Sequence, residues 1–530
     1  MRQLGSIGLG LLVLLLAGCP KQLPFLASLD EVPGASSKAS PTPSPLPTAT
    51  PAPAFLPPPF TLPLNSLAMT VKPVSLPFAG EATIPIEARE AILVLSRTGD
   101  VPSGFGFSFD GATPATSGMP TLQSLPQAPG PSCGTFDQLL VPRGAVPQTP
   151  GIRASRAAVD PPFVGARREF IVRSVPVTAI CYAIGTHGAI WVDERDQYRF
   201  SASDLLHLSR QFDERFPRIT ETYGAGPSGR ADGYNWGDDR VNVLISQQVP
   251  QEYGGFVEPL DFFPDSFTES NYGKRSNFGK VLYVNAIYGV APLLNTMIHE
   301  YVHIVYYGHR LEVYSRNHGK GLPLGQDTSY FGTADASERW LNEGMAALSE
   351  YLYGSSPALT YRAYIERYVV NAPEYDLADF LRLAENDAAN YGGALLFSAY
   401  AHGRHPGFVK AIPLARGIST AAVDEVMRAG LRRTFPDFYR DYALSLLLDG
   451  YHVDVPGQYR IPHVDLNGDF GGMRLDGVTS STVPPRLNGV RYVHVRFASG
   501  KGALRIRNAG EMQGSLLVLA PAAEPGFNGD

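Results

Sequence analysis

Cysteine is scarce in this chain: Cys19, Cys133 and Cys181 are the only three among 530 residues. So few thiols argue against a metal site built from cysteine and against a fold held together mainly by disulfides. Charge of one sign is lacking too. Lys and Arg number 44 against 50 Asp and Glu, giving −6 with no long run of either sign. Nothing offers the basic face that a nucleic acid partner requires. Long apolar runs are missing apart from residues 7–16, which are too few to span a bilayer as a helix.

That one run is informative. Arg2 precedes it and the small residues of Leu16-Ala17-Gly18-Cys19 follow, so residues 1–18 read as a signal peptide. The other reading, an uncleaved membrane anchor, needs a longer core. Leu-Ala-Gly-Cys also resembles the bacterial lipobox. The resemblance implies that Cys19 is lipidated and holds the protein to a membrane of the bacterial cell envelope, on the extracytoplasmic side. Cys133 and Cys181 then remain, and in an exported chain the expectation is that they pair. Residues 19–63 are rich in Pro, Ala, Ser and Thr, including Pro41-Thr42-Pro43-Ser44-Pro45, and read as a semi-rigid linker.

The body divides by texture. Residues 64–185 carry short apolar runs between Gly/Pro/Ser-rich loops and read as a β-rich N-terminal domain with a structural or docking role. From about residue 186 strand-like runs alternate with longer helical patterns, first a helix over 203–223, then strands at 241–245 and 280–284. Helices are expected over 359–370, 391–401, 421–427 and 435–448. From residue 451 a period-two pattern returns, as in Val490-Arg491-Tyr492-Val493-His494-Val495, and predicts a C-terminal β domain over 451–530. The fold class is α+β.

The chemistry concentrates after the strand at 280–284. His299-Glu300-x-x-His303 puts two imidazoles four residues apart, on one face of a helix, where both reach one divalent ion. Glu300 is placed to act on a water at that ion without ligating it. Pro292 suits the first turn of this helix, and Gly308 stands where a C-terminal cap belongs. Leu294, Met297, Ile298, Tyr301 and Val305 are its candidate core face. Just before it, Tyr253-Gly254-Gly255-Phe256-Val257-Glu258 reads either as a glycine turn or as an edge strand able to pair with a peptide.

A catalytic zinc needs a third protein ligand and an open position. His309 has the spacing of a third histidine, but Tyr306 stands where the chain would need glycine to turn back. Glu343 is the stronger candidate. It lies in Trp340-Leu341-Asn342-Glu343-Gly344, on a helix predicted to start in a capping box of Asp335 and Glu338 and to stop at Gly354. Leu341, Met345, Leu348 and Leu352 form its apolar stripe. Glu343, Ala346, Ala347 and Glu350 share another face, where alanines beside carboxylates point to close packing and to a buried acid that needs a partner. Gly344 is expected to let this helix approach the first one at the metal.

The two motifs resemble those of the gluzincin metallopeptidases, the group containing thermolysin and the aminopeptidase N-type enzymes. With Tyr391-Gly392-Gly393-Ala394-Leu395-Leu396-Phe397 and the lead-in strands, the chain is most similar to the hyicolysin family. The specific motifs cover 296–303 and 340–350, and a looser similarity extends over 186–450. The interval between His303 and Glu343 is longer than in thermolysin or the aminopeptidases, and residues 306–338 are expected to loop over the cleft.

The resemblance implies a thermolysin-like catalytic domain over 186–450, a mixed sheet plus a helical subdomain, flanked by the two β domains. It implies Zn2+ held by His299, His303 and Glu343, with Glu300 as general base toward a protein or peptide substrate. Tyr391 is the matching donor to an oxyanion, and equally a candidate core aromatic. Glu350 is a candidate acceptor for a ligand histidine. The expected activity is zinc-dependent endopeptidase. The alternatives are an aminopeptidase of the same clan, or a non-enzymatic surface lipoprotein whose zinc is structural.

Overall fold

The computed structural model describes residues 67–115, 161–228, 236, 238–251, 253–317, 335–355, 357–372, 375–378, 387–449 and 459–521. The expected signal peptide, Cys19, the linker and Cys133 lie outside them.

The strands are, in chain order, β1 (Leu67–Val74), β2 (Glu81–Ile86), β3 (Glu90–Arg97), β4 (Gly106–Asp110) and β5 (Ala112–Pro114). There follow β6 (Arg167–Val172), β7 (Val175–Ile184), β8 (Gly188–Asp193), β9 (Val241–Ser246), β10 (Gly255–Val257) and β11 (Val281–Asn285). The last are β12 (Ser480–Ser481), β13 (Gly489–Phe497), β14 (Gly502–Arg507) and β15 (Met512–Pro521). The longer helices are α1 (Ala202–Tyr223), α2 (Asp265–Tyr272), α3 (Val290–Asn317), α4 (Asp335–Tyr353), α5 (Pro357–Asn371), α6 (Asp387–Arg404), α7 (Thr420–Leu431) and α8 (Phe435–Leu448).

The central sheet has the order β10-β11-β9-β8-β7-β6. β6, β7 and β8 form an antiparallel meander, β8, β9 and β11 run parallel, and β10 is an antiparallel edge. Period-two alternation decides which side chain goes where. Ile190, Val192, Val243, Ile245, Leu282 and Val284 join the main core with the α1 residues Leu205, Leu208 and Phe212. Trp191, Leu244, Val281 and Tyr283 face the other way, into a second core with Phe170 and Phe256. The sheet is curled. The Asn277 side chain accepts from Ile171 N–H (2.7 Å) and donates to Ile171 O (2.8 Å), tying strand β6 back toward the loop before β11. Cys181 of β7 is buried in the second core, and burial pushes its thiol up to about 11.

The two ends of the described chain share two sheets. One has the order β1-β15-β3-β13-β5 and the other β12-β4-β14-β2, all in antiparallel pairs. Ala91, Leu93 and Leu95 of β3 face the second sheet, with Phe107, Phe109, Val493, Val495, Leu504 and Ile506. Ile92 and Val94 face the main core instead. Helix α8 lies there, and Tyr492 OH donates to Ala443 O (2.7 Å). This departs from the division expected in sequence. Strands at 67–115 pair with strands at 480–521 rather than forming a domain with 167–184, which belongs to the central sheet. Local alternation marks a strand, but it does not name the partner.

The expected helices are present with their reasons. Ser201 caps α1 by accepting from Asp204 N–H (3.1 Å), and Asp204 accepts from Ser201 N–H (3.2 Å) in return. Helix α3 carries Pro292 in its first turn, and Leu294, Met297, Ile298, Tyr301 and Val305 are buried. It does not stop at Gly308 but runs on to Asn317, so the first part of the expected 306–338 loop is helix. Gly308 is small for another reason: a Cβ there would lie 2.5 Å from the Pro227 ring. Glu338 has its partner on another helix. It is buried against Arg310, with Oε1 2.6 Å from Nη2 and Oε2 accepting from Nε–H at 2.9 Å, which ties α3 to the first turn of α4. No described helix is long and apolar enough to cross a membrane.

Candidate metal centre

Helices α3 and α4 pack antiparallel, so the middle of one motif meets the middle of the other. His299 and His303 project from α3 one turn apart, and Glu343 reaches between them from α4. Glu343 Oε2 lies 3.5 Å from His299 Nε2 and 3.7 Å from His303 Nε2, and all three side chains are buried. Their donor atoms fall within 4.8 Å of one another, the only such His/Cys/Asp/Glu group among the described residues.

The fit to a metal ion follows from distances and from an orphaned atom. Ligand atoms each about 2.05 Å from a tetrahedral ion stand about 3.3 Å apart, close to the separations found. His299 Nε2 is buried with no well-formed hydrogen bond among the described residues: its neighbour Glu343 Oε2 stands 3.5 Å away, a gap that an ion between the two atoms would fill. Two imidazoles and one carboxylate make a donor set suited to a borderline divalent ion.

The outer nitrogens are held as well. His303 Nδ1–H donates to Asn342 Oδ1 (2.8 Å), which leaves Nε2 free of its proton and turned inward. His299 Nδ1 lies 3.5 Å from Glu350 Oε2, and Glu350 accepts a 2.7 Å hydrogen bond from Tyr361 OH on α5. Burial, and then the Glu350 charge, keep the Tyr361 hydroxyl protonated. The outer oxygen of Glu343 has Arg339 Nε at 3.9 Å, one helical turn back.

These contacts set the charge state of the metal-free site. Burial opposes a charge on His299, but carboxylates at both its nitrogens outweigh it and hold the imidazole up at about 10. Burial brings His303 down to about 4 against the pull of Glu343. Burial works against the Glu343 carboxylate, yet His303, His299 and Arg339 together bring it down to about 2. One proton therefore sits on His299 until a metal displaces it. Apparent metal affinity should rise about tenfold per pH unit from pH 6 to 9, because each ion bound releases one proton. Competition with a chromophoric chelator at several pH values measures this, and a flat profile would contradict the assignment of that proton.

Glu300 is buried beside His299, beneath the edge strand. A Cβ on Gly255 of β10 would come within 2.5 Å of Thr296 Cγ2 and 3.1 Å of Glu300 Cγ, so only glycine lets the strand lie this close to α3. Gly255–Val257 forms the end strand of the central sheet among the described residues.

The remaining candidates fall outside the triad. His309 stays on the continuous α3, six residues and about 9 Å beyond His303, where its Nε2–H donates to Ala225 O (2.9 Å). Tyr391 is buried near the start of α6 with its ring 5.9 Å from that of Tyr364, which in turn lies 5.8 Å from Tyr361. Gly344 faces α6 rather than α3: a Cβ there would be 2.6 Å from Ala394 O. Asn342, Arg339 and Tyr361 were not anticipated. Asn342 had a signal, a poor helix former between Leu341 and the presumed ligand. Tyr361 had none, as one of 26 tyrosines.

The chain matches no family model, and none of the curated proteins is similar enough to count as a relative.

Proposed function

We propose that this chain is a zinc-dependent endopeptidase of the gluzincin kind, with a thermolysin-like arrangement in its catalytic body and a lipid on Cys19 holding it to the bacterial cell envelope. The observation that carries the reading is the approach of Glu343 to His299 and His303, with an additional buried carboxylate, Glu300, beside them. A site that only stabilises the fold has no use for that fourth residue.

When bound, zinc supplies Lewis acidity, polarising a carbonyl and making water a competent nucleophile near neutral pH. In this reading Glu300 accepts the proton of the attacking water and returns it to the departing amine. Strand β10, at the sheet edge directly over Glu300, lines up an extended peptide by main-chain hydrogen bonds, with its scissile bond above the carboxylate. Asn342 and Glu350 hold the two imidazoles in the tautomer that directs Nε2 inward. The charge that develops on the carbonyl oxygen needs a further donor, and the reading assigns it to Tyr391.

Metal analysis together with cleavage of an unstructured protein such as casein tests this. The expected results are about one zinc per chain and activity removed by a chelator and restored by zinc. Glu300→Gln should lose roughly 10²–10⁴-fold in rate while keeping its metal. Undiminished activity in Glu300→Gln would sink the reading.

A further inference from the structure

The Tyr391-Gly392-Gly393 segment stands out in sequence, yet its glycines touch nothing in the metal centre. Their place in the fold gives them a use. Helix α6 lies against α5, and a Cβ on Gly392 would collide with the main-chain carbonyl of Tyr364. A Cβ on Gly393 would come within 2.6 Å of the Tyr368 ring. The obstacle at Gly392 is backbone, which cannot swing aside as a side chain can. The glycine pair is therefore a notch that seats α5 closer to α6 than any other residue would allow.

Tyr361 projects from that seated helix, one turn before Tyr364. Its hydroxyl donates to Glu350 Oε2 at 2.7 Å and lies 3.5 Å from His299 Nδ1, with Tyr361 and His299 both buried. Among the described residues no other group donates a hydrogen bond to the Glu350 side chain, and its own contact to His299 is longer, 3.5 Å. An α4 carboxylate beside an α3 histidine is thus fixed by a hydroxyl from a third helix.

We infer that Tyr361 is a positioning residue for the metal centre, seated by the Gly392-Gly393 notch, orienting His299 through Glu350. This inference rests on the metal-binding reading above. The hydroxyl restricts Glu350 to one rotamer, and Glu350 then selects the His299 ring orientation and tautomer in which Nε2 faces Glu343 and His303. Without the hydroxyl the carboxylate is free to turn away, and the ion must bring His299 into place at its own expense.

The test is zinc affinity of the whole chain by competition with a chromophoric chelator, together with the visible spectrum of the Co2+-substituted protein. Wild type should bind one ion. Tyr361→Phe should weaken zinc binding about tenfold and alter the Co2+ spectrum, in protein that circular dichroism shows to be folded without metal. Glu350→Gln should weaken it comparably, and Tyr361→Phe added to Glu350→Gln should change it little further, because the shorter of the hydroxyl's two contacts, and the one that orients His299, is to that carboxylate. Gly392→Ala, if it folds, should shift affinity in the same direction. A Tyr361→Phe affinity within twofold of wild type overturns the inference, as does full additivity with Glu350→Gln. A wild type that binds no ion at all would instead overturn the proposed function, so the two failures are distinguishable.

Discussion

Glu343→Ala should reduce the metal content from about one ion per chain to almost none, and peptide hydrolysis should go with it. Two imidazoles on one helix face bind a divalent ion weakly, and the third ligand is what fixes a catalytic site. The loss is larger than the removal of one ligand. Glu343 is also the buried counter-charge of His299 and lies 3.7 Å from His303, so its removal strips a protonated imidazole of the carboxylate at its Nε2. His309→Ala is the matched control and should keep both metal and activity, since that side chain serves the Ala225 carbonyl. The reverse pattern, metal retained in Glu343→Ala and lost in His309→Ala, would reassign the third ligand.

Deleting residues 67–115 should abolish cooperative folding of the C-terminal strands, although the metal triad is untouched in sequence. β3 lies between β15 and β13 and supplies the pairing partner of each. Its Ile92, Leu93, Val94 and Leu95 are all buried. At roughly 1.5–3 kcal/mol each these four side chains represent about 6–12 kcal/mol, comparable to the whole 5–15 kcal/mol margin of a folded domain. The shortened chain should show a broad, early melting transition by circular dichroism and should aggregate through the opened strand edges. A sharp transition near that of the full chain would contradict this.

Much of the site is legible in sequence because helical spacing is local. Residues four apart on a helix share a face whatever surrounds them, so His299 and His303 could be paired from their positions alone, and the alanines beside Glu343 marked a close-packed face. What failed to show depends on distant residues. Gly308 reads as a helix stop until Pro227, 81 positions earlier, is seen packed against it. Glu338 has the spacing of a cap residue, and its buried partner Arg310, 28 positions earlier, is invisible from that spacing. Gly344 reads as a notch toward the metal helix, and only the packing of α6 shows which neighbour it accommodates. The shared sheets are the largest instance. His494 meets Glu90 across a sequence separation of 404 residues, and no local pattern encodes a pairing of that length.

The tie at Asn277 bears on something other than the curl of the sheet. A sheet edge with unpaired N–H and C=O groups accepts any extended chain that comes by, and that is a hazard as well as a use. Among the described residues the central sheet ends at β6 and β10. At β6 the Asn277 amide already occupies both main-chain groups of Ile171, so an incoming strand would have to displace it. At β10 the strand lies over Glu300. For a chain proposed to work on unfolded peptides, this asymmetry is a form of steering. In the proposed reading, an extended segment that seeks a sheet to join meets an occupied edge at β6, and the edge that would take it is the one over Glu300.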